Sequence, residues 1–144
     1  MIVRRSQSQS DYLSHLISVP LFAQCTKAEL KSLARHTSDI TAEPDQVLIK
    51  EGHGAYDFFV IVCGAAEVSR GGRVVSRLTE GDWFGELGLL DPALRDATVT
   101  ATTSMELIVL AQWDFEQALE EAPGMTRRLL AGMAQRLRSL DQRW

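Results

Sequence analysis

From Ile40 to Ala111 the chain is cut into short β-prone runs by turn residues, and this punctuation constrains the fold more than any other feature. The runs are Gln46 to Lys50, Phe58 to Cys63, Ala66 to Arg70, Arg73 to Leu78, Ala97 to Thr102 and Met105 to Ala111. Between them stand Pro44-Asp45, Gly52-His53-Gly54, Gly64 and Gly71-Gly72. The Gly71-Gly72 pair between two β-prone runs is a hairpin turn, because both central residues of such a turn favour positive φ. Strands this short and evenly spaced predict a compact antiparallel barrel or jelly roll.

Helical patterns flank the β-prone segment. Ser10 is positioned to cap a short helix with Leu13, Leu16 and Ile17 on one face, ended by Val19-Pro20. Leu21 and Phe22 follow as an apolar plug, and Thr26-Lys27-Ala28-Glu29 is a capping box for a second helix with Leu30, Leu33 and Ala34 inward. After the β-prone segment, Asp114 to Gln117 reads as another cap, with Phe115 and Leu119 on a shared face. Pro123-Gly124 breaks that helix, and the last one carries a stripe of Met125, Leu129, Met133, Leu137, Leu140 and Trp144. The predicted fold class is therefore α+β: an antiparallel β-roll (residues 40–111) between N-terminal helices (10–37) and C-terminal helices (113–143). Residues 10–144 form one domain, and the polar residues 1–9 are expected to be a loose terminus.

Composition excludes several function classes. A 144-residue chain has the length of about one domain. The net charge of −4 disfavours direct binding to DNA, and the arginines beside the last apolar stripe (Arg127, Arg128, Arg136, Arg138, Arg143) read as a solvated face. No apolar run approaches the ~20 residues of a membrane span, and Arg4-Arg5 is not followed by the apolar core of a secretory signal. Cys25 and Cys63 fall in different predicted elements and read as free thiols of a cytoplasmic protein. His15, His36 and His53 are scattered, so no metal site is expected. No nucleophile elbow is present, and no catalytic set can be assembled, so the chain reads as a binding module and not an enzyme.

One stretch carries chemistry. Gly81 to Ala101 begins with a glycine, makes a short apolar turn containing Glu86, passes through a loop with Asp91-Pro92 to Arg95, and ends in the run Ala97 to Ala101. Free main-chain N–H groups at such a turn attract an anion, and Gly85 admits close approach to the backbone. Arginine supplies a fixed fork for phosphate. A carboxylate beside them would repel phosphate, and its natural partners are hydroxyls such as those of a ribose.

The segments Phe84-Gly85-Glu86-Leu87-Gly88-Leu89 and Leu94-Arg95-Asp96-Ala97-Thr98-Val99 resemble the phosphate-binding cassette of cyclic-nucleotide-binding domains. That pattern is Phe-Gly-Glu-Leu-Ala-Leu, a loop, then Pro-Arg-Ala-Ala-Thr-Val. The likeness extends over roughly residues 10–140 and includes Glu51-Gly52, Gly54, Asp57, Phe58 to Ile61, Gly64 and Gly81. It implies a β-roll between helices that binds cAMP, with cGMP second. Glu86 would accept from the ribose 2′-hydroxyl. Arg95 would pair with the phosphate, helped by the main chain of Gly85, Leu87, Asp96 and Ala97. A side chain of the last helix, Leu137 or Leu140, would cover the base.

Asp96 departs from the pattern, which has alanine, serine or threonine there. A carboxylate ~4 Å from the phosphate costs up to about 4 kcal/mol at an effective dielectric of 20. Two arrangements follow. Extended backbone alternates faces and would send Asp96 away from Arg95. Otherwise Asp96 pairs with Arg95 and competes with ligand. Gly88, in place of alanine, loosens the short helix slightly.

The sequence thus predicts a cytoplasmic cyclic nucleotide sensor, monomeric or weakly dimeric through the last helix, that reports to a protein effector. One alternative is a protein-interaction module of the same fold with weak or lost nucleotide binding. The other is a piece of a larger transcription regulator, channel or transporter. Met1 and the domain order favour a stand-alone protein.

Overall fold

A computed structural model describes residues 9–53, 57–91 and 96–141. The chain divides into two compact units, one built on Ser38–Gln112 and the other on the helical segments before and after it.

The first unit is a roll of two four-stranded antiparallel sheets. Strands β1 (Ser38–Ala42), β2 (Val47–Ile49), β3 (Phe58–Cys63), β4 (Ala66–Arg70), β5 (Arg73–Leu78), β6 (Trp83–Phe84), β7 (Thr98–Ala101) and β8 (Met105–Leu110) are arranged in the orders β1-β8-β3-β6 and β2-β7-β4-β5. A short helix, α3 (Leu87–Leu90), interrupts the strands after β6. Alternation along each strand sends one set of side chains inward. Ile49, Phe59, Ile61, Ala66, Phe84, Val99, Ala101, Met105 and Leu107 form the core with Ala42. Each large side chain fully withdrawn from water contributes roughly 1.5–3 kcal/mol.

Among the described residues, the eight strands include two that the sequence pattern does not announce. Ser38 and Asp39 are poor strand formers, yet β1 forms because Ser38 to Ala42 pair residue by residue with Val109 to Met105. The two-residue β6 exists through its pairing with β3. The β4–β5 hairpin turns at Gly71-Gly72, where φ is +60° and +80°, as the glycine pair predicts. Its outer strand, β5, is exposed from Arg73 to Arg77, and Arg77 pairs across to Glu67 at 3.4 Å. Charged side chains on such an edge discourage pairing with other chains.

The helical unit contains α1 (Gln9–Ile17), a 3₁₀ turn (Pro20–Phe22), α2 (Lys27–Arg35), α4 (Gln112–Glu121) and α5 (Met125–Asp141). The capping box is present in full: Thr26 Oγ1 accepts from Glu29 N at 3.2 Å, and Glu29 Oε1 accepts from Thr26 N at 2.9 Å. Leu21 and Phe22 are fully buried. Two expected caps differ. Ser10 lies within α1, and Asp114 lies in the first turn of α4, which begins two residues earlier. Ile17 is 54% exposed instead of inward.

At the other end of α2, Glu121 gathers three donors: Ser32 Oγ at 3.2 Å, Arg35 Nη2 at 3.3 Å and His36 Nε2 at 2.9 Å. The hydrogen bond from His36, then that from Arg35, holds the Glu121 carboxyl below its usual range. The stripe of α5 splits in two. Met125 and Leu129 are buried, whereas Leu137 and Leu140 are exposed. Trp144 lies outside the described residues, as do Met1 to Ser8 of the expected loose terminus.

Both cysteines are free. Burial first, and then the Glu29 carboxylate, push the Cys25 thiol up to about 11. Among the described residues no helix is long and apolar enough to cross a membrane.

Candidate functional site

The roll builds the cassette from its core outward. Ile61 N donates to Asp82 O and Gly81 N to Ile61 O, both at 2.8 Å, which ties the approach to β6 onto β3. Asp82 Oδ2 accepts from Thr79 N at 2.8 Å and closes the turn before it. The rings of Phe59 and Phe84 then stack with centroids 4.8 Å apart and planes 14° from parallel. Gly85 therefore leaves a fixed point.

Gly85 has φ +87°, and a Cβ there would meet the main-chain oxygen of Asp57 at 2.5 Å. Only glycine fits both the conformation and the space. The chain then closes a tight turn, with Gly88 N donating to Gly85 O at 3.0 Å and Leu89 N to Glu86 O at 3.2 Å. Leu89, at 3% exposure, pins the turn to the protein. Glu86 sits on this platform with only 9% of its surface exposed. In such a setting a hydrogen bond from a ligand hydroxyl is stronger than in water. Glu86 precedes α3, and α3 has four residues, so little helix dipole is available for this carboxylate to complement.

Of the other expected site residues, Leu87 opens α3. Arg95, with Pro92 to Leu94, lies outside the described residues. Ala97 is half-buried at the entrance to β7. Leu137 and Leu140 lie on α5 in the helical unit, 58% and 50% exposed.

Asp96 points into water, its side chain 88% exposed, and pairs with Arg70 Nη2 at 3.7 Å. Arg70 Nε also donates to the main-chain oxygen of Asp96 at 3.1 Å. A second tie lies alongside. Glu51 accepts from Gly71 N at 3.2 and 3.3 Å, and its own amide donates to Thr98 Oγ1 at 3.0 Å. Arg70 and the bridging role of Glu51 are absent from the sequence expectations. Only the register, Ser69 opposite Thr98, brings the hairpin tip beside the cassette's exit.

This arrangement offers a buried acid on a tight turn that starts at a left-handed glycine, with Asp96 and Ala97 leading into β7. Residues 40–122 match the family model for the cyclic nucleotide-binding domain. The chain belongs to that family. A cAMP-dependent protein kinase regulatory subunit of Yarrowia lipolytica is 35% identical over 115 residues, covering 78% of this chain and 31% of that protein. The chain thus spans about a third of that relative's length. The N-terminal domain of a transcriptional regulator from Streptomyces coelicolor A3(2) superposes with a TM-score of 0.80 at 28% identity, covering 89% of this chain and 95% of that one. A cAMP-bound PfPKA-R chain superposes with a TM-score of 0.66 at 26% identity, covering 92% of this chain and 47% of that one.

Proposed function

We propose that the chain is a cAMP-responsive regulatory domain. Residues 10–144 act as one functional domain in the cytoplasm, with no catalytic step of their own. Glu86 accepts from the ribose 2′-hydroxyl, and Arg95 forks onto the phosphate with main-chain N–H groups of Gly85, Leu87 and Ala97. Leu137 and Leu140 are the candidates to cover the base, since their exposure leaves apolar surface for a ligand to bury. Ligand acts by shifting the population of helix arrangements, and a protein effector reads the difference.

The observation that carries this reading is the buried acid directly after a left-handed glycine, inside the family-matched region. Asp96 adds support. Its carboxylate is turned to Arg70 and water, which weakens the alternative of a module that has lost nucleotide binding.

Titration calorimetry with cAMP and cGMP tests the proposal. cAMP binds more tightly than cGMP, and Arg95→Ala abolishes binding while the thermal melt shows a folded protein. Unchanged cAMP affinity in Arg95→Ala would refute the site.

A further inference from the structure

The β4–β7 ladder ends at Ser69 opposite Thr98. Just beyond the last rung, where main-chain pairing stops, the Arg70 side chain takes over. It holds Asp96 at two points, the main-chain oxygen at 3.1 Å and the carboxylate at 3.7 Å. Asp96 directly follows Arg95 in the sequence. The parallel tie from Glu51 to Gly71 and Thr98 fixes the neighbouring residues on both sides. The tip of the β4–β5 hairpin is therefore fastened to Asp96 directly and to Thr98 through Glu51, at the start of β7.

We infer that Arg70 is a positioning residue for the nucleotide site: it anchors the main chain at Asp96, just ahead of β7, and engages a carboxylate that would otherwise be free to repel a phosphate. This rests on the proposed ligand site. A planar guanidinium suits the task, because its fork can reach a carbonyl and a carboxylate together, whereas a lysine ammonium is a single point charge. The pair is well exposed, so its effect is modest. Its importance comes from what an unheld Asp96 would do, since a carboxylate beside a phosphate repels it.

Affinity for cAMP and ligand-free hydrogen exchange test this together. Arg70→Ala weakens cAMP binding about fivefold, the scale of a released partly exposed charge pair. Asp96→Ala alone leaves affinity within about twofold, and in the double variant part of the loss is recovered, because the repelling carboxylate is gone while the main-chain anchor stays broken. Arg70→Lys keeps the charge but loses one of the two contacts, and it also weakens binding. Amides of residues 96–98 exchange faster in Arg70→Ala without any ligand. Unchanged affinity in Arg70→Ala, or a loss that persists fully in the double variant, overturns the inference. Wild-type affinity in Arg70→Lys would assign the effect to net charge and also overturn it. If the wild-type protein gives no cAMP or cGMP signal at all, the ligand reading itself falls. The exchange measurement then decides the anchor, and unchanged exchange at 96–98 rejects it.

Discussion

The main-chain oxygen of Asp57 lies 2.5 Å from the place a Cβ on Gly85 would occupy. Backbone cannot yield there as a flexible side chain would, because β6 is paired to β3 through Phe59–Phe84 and Val60–Trp83. The glycine also sits at φ +87°. Gly85→Ala is therefore predicted to destabilise the protein by about 1–3 kcal/mol through backbone strain. Chemical denaturation measures the loss, and a wild-type midpoint would contradict it. Any ligand binding should fall as well, since Glu86 is the next residue.

Glu86 can be tested with chemistry that a purely structural acid would not feel. Glu86→Gln is predicted to weaken cAMP binding by roughly 10- to 100-fold, the range of a hydrogen bond to a charged group. With 2′-deoxy-cAMP, which lacks the hydroxyl assigned to Glu86, wild type and variant should bind almost equally. Calorimetry with both ligands checks this. An equal loss with each ligand would place Glu86 in the support of the turn and not at the sugar.

What the sequence discloses follows the range of the interaction. The capping box of Thr26 and Glu29 is legible because partners three residues apart meet in almost any helix start. The Gly71-Gly72 turn is legible for the same local reason. The conjunction of Gly85 and Glu86 is legible as a pattern, and the structure adds the Asp57 carbonyl that makes the glycine obligatory. Strands β1 and β6 are not legible, since Ser38-Asp39 and Trp83-Phe84 become strands only by pairing with distant residues. Arg70 is hidden likewise: its partner Asp96 is 26 residues away, and only the register joins them. On α5 the periodicity shows one stripe, but it cannot say that Leu129 is buried and Leu137 exposed.

The convergence of Ser32, Arg35 and His36 on Glu121 ties the ends of α2 and α4. The carboxyl is held below its usual value of 4.5, chiefly by His36 and then by Arg35. A depressed carboxyl contributes stability above its unfolded value and loses it as pH falls through the folded one. Glu121→Gln should therefore melt earlier than wild type near pH 6, and the difference should close as pH drops below about 4.5. Thermal melts across this window check the sign. The carboxylate is exposed, so ~1 M salt, with a screening length of about 3 Å, should also shrink the difference. A gap that persists unchanged in acid would show that the junction depends on packing instead of charge.

Cys25 makes the opposite prediction at high pH. Its thiol is raised from 9.0 to about 11, first by burial and then by the Glu29 carboxylate, against a smaller lowering by Arg128. The folded state therefore keeps a proton that the unfolded chain releases, and stability falls as pH rises from about 9 to about 11. Cys25→Ala removes this contribution, so its melting temperature should decline less steeply than that of wild type across the same interval. The comparison cancels the other groups that titrate there, because both proteins share them. A maleimide at neutral pH gives an independent check: Cys63 is exposed and should be modified readily, while Cys25 should react only after unfolding. Parallel pH slopes for the two proteins, together with rapid labelling of Cys25 in the native state, would mean that the thiol is accessible and titrates normally.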